Sequence, residues 1–422
     1  MTSAQQDSDR EFDIVLYGAT GFAGKLTAQY LARSGSGARV ALAGRSLVKV
    51  RAVRDSLGPE AQSWPLIEAD TSKPSTLADM AARTRVVVTT VGPYTHYGMP
   101  LVGACVAAGT DYADLTGETL FIRDSAEQFH KQAADTGSRI VHSCGFDSVP
   151  SDITVYALYD RARTDGTGEL GETNFVLRSF AGGVSGGTVA SMIEFMRTAA
   201  ENPQSRDDLQ DPYTLSTDRG AEPELGPQSD NPWRRGREIA PELDGIWTGA
   251  FAMAAPNSRI VRRSNALLDW SYGRTFRYAE QMSVGSSVVA PVAAALETAA
   301  SVATFGLGTR YINKVPRGLL DRVLPKPGTG PSERTREKGY YRAETYTTTT
   351  TGARYRATMA QQGDPGYKAT AVLLAECGLA LALDRDRLSD LRGVLTPAAA
   401  MGDALLTRLP AAGVTLETAR LD

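Results

Sequence analysis

Short apolar stretches alternate with amphipathic stretches from residue 12 to about residue 150. The apolar stretches predict strands at 13–17, 39–43, 63–68, 85–91, 111–114 and 139–143. The stretches between them have helical spacing, at 24–34, 47–57, 76–83, 98–108 and 120–136. Several of the predicted strands are apolar at nearly every position, which is typical of a parallel sheet buried on both faces. The pattern therefore predicts an α/β fold in which residues 11–150 form a Rossmann-type, doubly wound parallel sheet.

The hydrophobic period changes beyond residue 150, where longer segments alternate apolar and polar positions. These segments predict strands at 174–180, 247–252, 259–263, 275–283, 340–350 and 353–361. The last two flank a Thr-Gly pair and predict a hairpin. We therefore expect a second, α+β domain at 151–365, built on a largely antiparallel sheet. Its polar insertions at 201–232 and 325–337 predict long loops, which are either lids or simply flexible connections.

Helical spacing returns in the C-terminal part, at 366–422. Asp364 and Thr396 are each followed directly by a proline, which is typical of a helix start. The side chain of the first residue accepts a backbone hydrogen bond there, and the proline has no N–H group that needs a partner. At the other end of the chain, the polar residues 1–10 predict a flexible tail.

Composition and net charge limit which partners and which kinds of site we expect. A length of 422 residues favours two domains. The formal net charge is −3 with acids and bases interspersed, so we expect no nucleic-acid partner. Cys105, Cys144 and Cys377 are far apart in sequence, so we expect no metal site, no disulfide framework and a cytoplasmic location. Cys144 is expected to be a small core residue. The polar start lacks the apolar segment of a secretory signal.

A glycine-rich turn joins the first predicted strand to the first predicted helix. Gly18, Gly21 and Gly24 are spaced three apart in GATGFAG. Glycine permits a tight turn and a close approach of a pyrophosphate to the backbone, and the helix that follows offers free N–H groups. The turn therefore predicts a dinucleotide site, in which Thr20 and Phe22 also take part. The alternative is a glycine-rich turn without a ligand.

The end of the second predicted strand indicates which dinucleotide binds. NAD-binding domains usually place an acidic residue there, where it accepts hydrogen bonds from the ribose hydroxyls. This chain has Arg45 and Ser46 instead. A guanidinium group can hold the 2′-phosphate of NADP with two hydrogen bonds, so we expect NADP(H). The alternative for Arg45 is an ordinary surface cation.

Further predicted strand ends line the same crevice, because ligands of doubly wound folds bind at the carboxyl ends of the strands. Asp70 follows the third strand and contacts the adenine side of the cofactor or, alternatively, caps the next turn. Gly92 and Pro93 follow the fourth strand and form a stiff turn beside the expected nicotinamide.

Side chains that carry acid–base chemistry cluster near the same strand ends. Tyr94, His96 and Tyr97 directly follow the stiff turn, and they are the candidate catalytic residues. Glu118 and Asp147 follow the fifth and sixth strands and are expected in the same cleft. The alternative for each of the five is an ordinary packing or capping role.

A family resemblance is carried by four stretches: YGATGFAGKL, LAGRS, TTVGPYTHYGMPLVGACVAAGTDYADLTGE and CGFDSVPSD. In these the chain resembles the saccharopine dehydrogenase-like family. Within that family, four later stretches are similar to the trans-acting enoyl reductases of phthiocerol-lipid synthesis: DPYTLSTDRGAEPELGPQ, RIVRRSNALLDWSYGR, ETYTTTTTGARYRATMA and GVLTPAAAMGDALL. The resemblance covers nearly the whole chain, apart from roughly the first ten residues.

The resemblance implies NADPH-dependent reduction of a carbon–carbon double bond. The acyl chain would be carried by a polyketide synthase or carrier protein that lacks its own enoyl reductase. Hydride addition leaves charge on the thioester oxygen, and the α-carbon then needs a proton; Tyr94 or Tyr97 would donate, and His96 would relay. The resemblance also implies that the C-terminal helices pack back on the Rossmann domain. Saccharopine itself is not the expected substrate, because no set of basic residues for its two amino-acid moieties is evident.

The apolar segment near residue 300 is also compatible with a lipid- or membrane-associated function. Residues 284–308 are apolar and rich in Ala, Gly and Ser, and a basic amphipathic stretch follows them. The alternatives are interdomain packing, a substrate tunnel, a transmembrane span, or peripheral contact of residues 288–326 with the inner face of the plasma membrane. The competing function is a lipid- or membrane-associated nucleotide-binding scaffold without turnover.

Overall fold

A computed structural model of the protein describes residues 10–182, 202–286 and 330–422, together with positions 193, 197 and 200. The predicted tail falls almost entirely on residues 1–9, outside the described residues. The predicted membrane-contact segment at 288–326 lies outside them as well.

The described residues form two sheets with helices packed on them. The strands are β1 Phe12–Tyr17, β2 Val40–Gly44, β3 Leu66–Glu68, β4 Thr84–Thr89, β5 Asp111–Ala113, β6 Arg139–Val141, β7 Leu170–Ala181, β8 Trp247–Gly249, β9 Arg277–Gly285, β10 Tyr340–Thr349, β11 Arg354–Gln362, β12 Gly393–Leu395 and β13 Thr415–Arg420. The helices are α1 Phe22–Arg33, α2 Leu47–Asp55, α3 Pro74–Ala82, α4 Tyr94–Ala108, α5 Thr119–Thr136, α6 Val149–Asp165, α7 Pro203–Gln210, α8 Gly236–Ile239, α9 Ala254–Leu267, α10 Glu333–Lys338, α11 Thr370–Leu383 and α12 Pro397–Ala411.

Sheet A confirms the predicted Rossmann-type fold. Its strand order is β12–β6–β5–β4–β1–β2–β3, and every neighbouring pair is parallel. Strands β1 and β2 are buried at every position, because helices cover both faces of the sheet. The strand order reverses between β1 and β4, which creates a crevice at the carboxyl ends of these two strands.

Sheet B contains six strands in the order β13–β11–β10–β7–β9–β8. Its pairs are antiparallel except β7–β9, so the prediction of a largely antiparallel second sheet is confirmed. The predicted hairpin is β10–β11, in register from Tyr340 opposite Gln362 to Thr348 opposite Arg354. Parts of the two insertions predicted as loops are helical, as α7 and α10.

The predicted strand at 259–263 is wrong, since these residues lie within α9. The RIVRR pattern suggested alternation because arginine was counted as facing solvent. All three arginines are buried instead, and their guanidinium groups donate to Asp230 and to backbone carbonyls. Arg263, for example, donates to the carbonyl of Val394 at 2.7 Å, and burial lowers its pKa to about 10. Because arginine is counted as a polar, exposed position, buried arginines make the helical period hard to recognise in the sequence.

The C-terminal part contributes to both sheets. A π-helical turn, Pro365–Ala369, leads into α11, which packs against α1, β1 and β4. The Thr396 hydroxyl caps α12 as predicted, accepting from the N–H of Ala399 at 3.3 Å. The stretch Pro365–Leu383 is the one helical stretch within the described ranges that is long and apolar enough to cross a membrane, but 78% of its apolar window is buried inside the protein. It is therefore a core helix of this fold.

Candidate active site

The outer two glycines of the predicted dinucleotide turn are required by the protein's own packing. Gly18 has φ +88°, in the left-handed region, and a side chain there would meet Val91 Cγ2 at 2.7 Å. At Gly24 a side chain would overlap the carbonyl oxygen of Gly18, because α1 begins directly against the turn. These contacts set the close packing of β1 onto α1.

At the central glycine the protein's own packing is less restrictive than at the outer two. Gly21 has φ −70°, and a Cβ atom there would come no closer than 3.3 Å to the Gly18 oxygen. A side chain here would also lie on the side from which a ligand reaches the first turn of α1. No side chain caps the first turn of α1 and no acidic residue lies in it, so its N–H groups remain open. This arrangement fits a pyrophosphate.

The N-terminus of α4, at the same crevice, is capped by a carboxylate. The Glu118 carboxylate accepts hydrogen bonds from the backbone N–H groups of Tyr94, at 3.0 Å, and Thr95, at 2.7 Å. The capping alternative for Glu118 is thus confirmed, although the capped helix is α4 rather than the helix that Glu118 itself precedes. Among the described helices that begin beside β1 and β4, α1 is therefore the one whose first N–H groups remain available to an anion.

The end of β2 presents a cation and a hydroxyl toward solvent. Arg45 is exposed and makes no hydrogen bond or ion pair with any described residue. Ser46 is the first residue before α2, and its hydroxyl caps no backbone N–H. Asp70 caps its own turn, accepting from the N–H of Ser72 at 2.9 Å; this bond, with a smaller contribution from the charge of Arg45, lowers the pKa of Asp70.

The glycine turn also contacts the C-terminal π-helical turn. The ring of Phe22 packs edge-on against Tyr367, with centroids 4.6 Å apart, and the guanidinium group of Arg336 lies 5.2 Å from the Phe22 ring centroid. Thr20 is half-buried beside it. This contact has no local signal in the sequence, because it joins the predicted cofactor turn to residues more than 300 positions later in the chain.

The turn after β4 fixes Tyr94 inside the protein. Gly92 and Pro93 are joined by a cis peptide bond and lead directly into α4. The Tyr94 hydroxyl donates to the carbonyl of Thr89 at 3.3 Å and accepts from the N–H of Leu115 at 3.2 Å. Burial and then the nearby charge of Asp114 raise the pKa of Tyr94 well above its ordinary value. This hydroxyl is occupied by backbone groups.

His96 and Tyr97 lie on the open side of the first turn of α4. Both are exposed, Tyr97 with 45% of its surface accessible, and their rings meet edge-on with centroids 6.2 Å apart. Of the three candidate catalytic residues, these two are accessible to a ligand at the carboxyl ends of the strands.

A buried aspartate that is not among the residues predicted from the sequence ties two neighbouring turns together. Asp114 follows β5, and its Oδ1 accepts from the N–H groups of Thr116 and Ser143, both at 3.0 Å. Its Oδ2 accepts from the Tyr112 hydroxyl at 2.9 Å and contacts His142 Nδ1 at 2.7 Å. The signal was available in the sequence, since Asp114 follows a strand as Asp70 does.

Asp147 lies in the next turn, after β6. Its side chain is partly exposed and makes no hydrogen bond or ion pair with any described residue, and burial raises its pKa to about 6. Cys144, in the same turn, is fully buried, which confirms the expected core position; burial is the main cause that raises its pKa. No group of three or more His, Cys, Asp or Glu residues suited to a metal ion occurs in the described ranges.

Comparison with known proteins identifies the family. Residues 14–141 match the saccharopine dehydrogenase NADP binding domain, which supports NADP(H) as the cofactor. A solved structure of saccharopine dehydrogenase (L-Glu forming) from Saccharomyces cerevisiae shares the fold, with a TM-score of 0.53 at 13% identity over 97% of this chain and 99% of that one.

Much closer relatives cover nearly the full length. A protein of Mycobacterium tuberculosis (strain ATCC 25618 / H37Rv), provisionally named a trans-acting enoyl reductase, is 71% identical over 98% of each chain. The trans-acting enoyl reductase of Mycobacterium bovis (strain BCG / Pasteur 1173P2) is 65% identical over 98% of this chain and 99% of that one. That of Mycobacterium ulcerans (strain Agy99) is 63% identical over the whole of both. The chain therefore belongs to the trans-acting enoyl reductase family, with a first domain of the saccharopine dehydrogenase NADP-binding type.

Proposed function

We propose that the protein is an NADPH-dependent enoyl reductase that acts in trans on an acyl thioester held by a polyketide synthase or carrier protein. The observation that carries this proposal is the 65% identity over 98% of the chain with a protein named for that activity. The open start of α1 beside Gly21 supports it independently, because it suits a pyrophosphate.

The first domain would hold the cofactor through its glycine turn, the start of α1 and the end of β2. The turn at Gly21 admits the pyrophosphate, and the N–H groups of α1 bind it. The exposed guanidinium of Arg45 and the hydroxyl of Ser46 bind the 2′-phosphate. Bound NADPH supplies a hydride for the β-carbon of the enoyl chain. Asp70, already bonded to its own turn, would lie beside the adenine.

The turn after β4 would position the substrate. Gly92 and Pro93 direct α4 toward the crevice, so the exposed side chains of its first turn face the reacting atoms. Tyr97 would donate a hydrogen bond to the thioester oxygen, where negative charge develops, and His96 would exchange protons with solvent. Tyr94 would hold this turn in place, because its hydroxyl is bonded to the backbone.

The wider setting of the reaction is part of the proposal. A trans-acting reductase of an acyl chain belongs to lipid or polyketide synthesis in the cytoplasm. Contact with the inner face of the plasma membrane is supported by the sequence of residues 288–326 alone, an apolar stretch followed by a basic one. Flotation of the protein with anionic liposomes tests this contact, and failure to float would contradict it.

The function is tested by NADPH oxidation with an enoyl thioester on a purified carrier protein, with NADH as the comparison. We expect oxidation that depends on the enoyl chain and prefers NADPH. A deletion strain should accumulate the unsaturated form of its polyketide lipid. Unchanged lipid saturation together with no turnover would contradict the enzyme proposal and favour the nucleotide-binding scaffold.

A further inference from the structure

Asp147 is a carboxyl group whose backbone the fold holds in place and whose side chain has no partner among the described residues. It belongs to the turn at 142–148, which follows β6 at the edge of sheet A where doubly wound folds bind ligands. Its side chain is partly exposed and makes no hydrogen bond or ion pair with any described residue. A carboxyl group in such a place is available to a ligand.

Both chain neighbours of Asp147 are fixed. The backbone N–H of Phe146 donates to the hydroxyl of Thr370 at 3.0 Å, which ties the turn to α11. On the other side, the Ser148 hydroxyl donates to the side-chain oxygen of Asn257 on α9 at 2.9 Å. The position of the Asp147 backbone is therefore set from two directions, while no residue in the described part of the chain holds its side chain.

The turn is also strained and braced. Ser143 has φ +63°, a conformation that residues other than glycine rarely adopt. Its N–H donates to Asp114, and its hydroxyl donates to the carbonyl of Thr116 at 2.7 Å, so the surroundings enforce this conformation. Enforced backbone strain of this kind clusters at active sites.

The other acidic groups near this edge are already engaged or out of reach. Asp114 and Glu118 accept backbone hydrogen bonds, and the Tyr94 hydroxyl is bonded to the backbone. Asp364 has one oxygen without a partner among the described residues, but the residue is completely buried. Asp147 is the carboxyl group at the described strand ends that combines a fixed backbone, partial exposure and no partner.

We propose that Asp147 is the acid that delivers a proton to the α-carbon of the enoyl thioester, an inference that rests on the proposed function and deepens it. After hydride has added to the β-carbon, the electron pair of the thioester enolate forms the new C–H bond at the α-carbon. The O–H bond of the Asp147 carboxyl breaks, and its electrons remain on the carboxylate. Solvent then returns a proton to the carboxylate. The double bond gains one hydride and one proton, and NADPH is oxidised.

The protonation behaviour of Asp147 agrees with this role. Burial alone raises its pKa to about 6, without a contribution from any described charged group. Titratable groups on the elements packed against its turn include Tyr341 of sheet B, Cys377 of α11 and Asp114 after β5. Helix α9 also contacts this turn, and its three arginines donate to Asp230 and to backbone carbonyls. A carboxyl group with this pKa holds a proton about a tenth of the time at neutral pH and regains it readily.

The test uses the full-length protein, NADPH and a 2-octenoyl chain on a purified phosphopantetheine carrier protein. We expect Asp147→Asn to lower kcat about 100-fold or more while leaving the Kd of NADPH near the wild-type value. Asp147→Glu, which keeps an acid, should restore part of the rate. Asp244→Asn is the matched control, because Asp244 is an exposed carboxylate in the turn before β8 of sheet B, and the kcat of this variant should equal that of the wild type.

Two readouts separate proton delivery from a structural role. In D₂O the wild type should place deuterium on one face of the α-carbon, whereas Asp147→Asn should label both faces. The decline of the wild-type kcat as pH rises through about 6 should disappear in Asp147→Asn. Single-face labelling at an unchanged rate in Asp147→Asn would overturn this assignment and leave enoyl reduction standing. If the wild type does not turn over at all, the proposed function fails, and proton delivery fails with it.

Discussion

The exposed guanidinium of Arg45 gives the sharpest prediction at the scale of single residues. A charge-assisted hydrogen bond contributes about 1.5–3 kcal/mol, or about 10- to 100-fold in affinity. Arg45→Ala should therefore weaken NADPH binding by about that factor and leave NADH nearly unchanged, as measured by fluorescence titration. Arg51→Ala, which removes an exposed arginine from the same helix α2, is the control. Equal losses for both nucleotides would contradict recognition of the 2′-phosphate by Arg45.

Gly21 and Gly24 should respond differently to the same substitution. A side chain at Gly24 overlaps the Gly18 carbonyl, so Gly24→Ala should lower the free energy of unfolding by about 1–3 kcal/mol. Gly21→Ala should leave stability close to wild type, because a shift of a few tenths of an ångström accommodates the methyl group. It should nevertheless weaken NADPH and NADH alike, since both carry a pyrophosphate. Urea unfolding and nucleotide titration of both variants measure this contrast, and unimpaired binding by Gly21→Ala would argue against a pyrophosphate at the turn.

The sequence shows which residues follow the strands, but it does not show which hydrogen bonds their side chains make. Tyr94, His96 and Tyr97 share one short stretch, yet Tyr94 turns inward to Thr89 and Leu115 while the other two face solvent. That split depends on which side of α4 packs on the sheet. A carboxylate such as Asp114 reveals its partners only when the turns after β5 and β6 are brought together.

At the scale of elements, the N-terminus of α4 depends on a carboxylate from the next turn. Glu118 accepts from the N–H groups of Tyr94 and Thr95, so Glu118→Ala should cost about 0.5–2 kcal/mol of stability, the range measured for helix caps. It should also lower enoyl reductase activity, because the first turn of α4 carries His96 and Tyr97. Glu127→Ala removes an exposed carboxylate from α5 and serves as the control in urea unfolding. Equal stability of the two variants would show that the cap contributes nothing.

A buried glutamate on β9 makes the stability of sheet B depend on pH. Glu280 has no exposed surface; it accepts from the Tyr278 hydroxyl at 2.7 Å and from the Asn257 amide at 3.0 Å, and burial raises its pKa to about 8. The folded protein therefore keeps a proton that the unfolded chain releases above its ordinary pKa of 4.5. The stability that protonated Glu280 contributes is therefore fully present below about pH 4.5 and is lost as pH rises through about 8.

Glu280→Gln should flatten this dependence, because the amide resembles the protonated acid. Relative to wild type, the variant should gain on the order of 1–3 kcal/mol at about pH 8.5 and differ little at about pH 5, as measured by urea unfolding. Glu224→Gln, at an exposed position, should show no such change between the two conditions. A variant that is destabilised equally at both pH values would indicate lost hydrogen bonding rather than titration.

Elements with a clean hydrophobic period were predictable, whereas elements stabilised by buried polar groups were not. The strands of the Rossmann part and the β10–β11 hairpin follow from their patterns. Helix α9 was misassigned because its buried arginines satisfy their charge through Asp230 and backbone carbonyls. The short strands β12 and β13 pair with the edges of sheets that earlier residues form. Their local sequence therefore does not indicate which strands they pair with.

For the whole molecule, fold class and cofactor follow from the sequence better than catalysis does. The cofactor turn is local, since a strand, three glycines and a helix lie within about twenty consecutive residues. The proposed catalytic side draws on the turns after β4, β5 and β6. The turn after β6 is tied to α11 through Thr370, and the cofactor turn contacts Tyr367 of the π-helical turn. Groups such as the free carboxyl of Asp147 become candidates only when their neighbours' partners are known.

The central claim is that the protein transfers hydride from NADPH to a carrier-bound enoyl chain. The most direct measurement is the mass spectrum of the acyl chain after incubation of enoyl-carrier protein, enzyme and NADPH deuterated at the transferable position. We expect a saturated chain that carries one deuterium at the β-carbon and a hydrogen from solvent at the α-carbon. Recovery of the unsaturated chain without label, from an enzyme that binds NADPH normally, would contradict it.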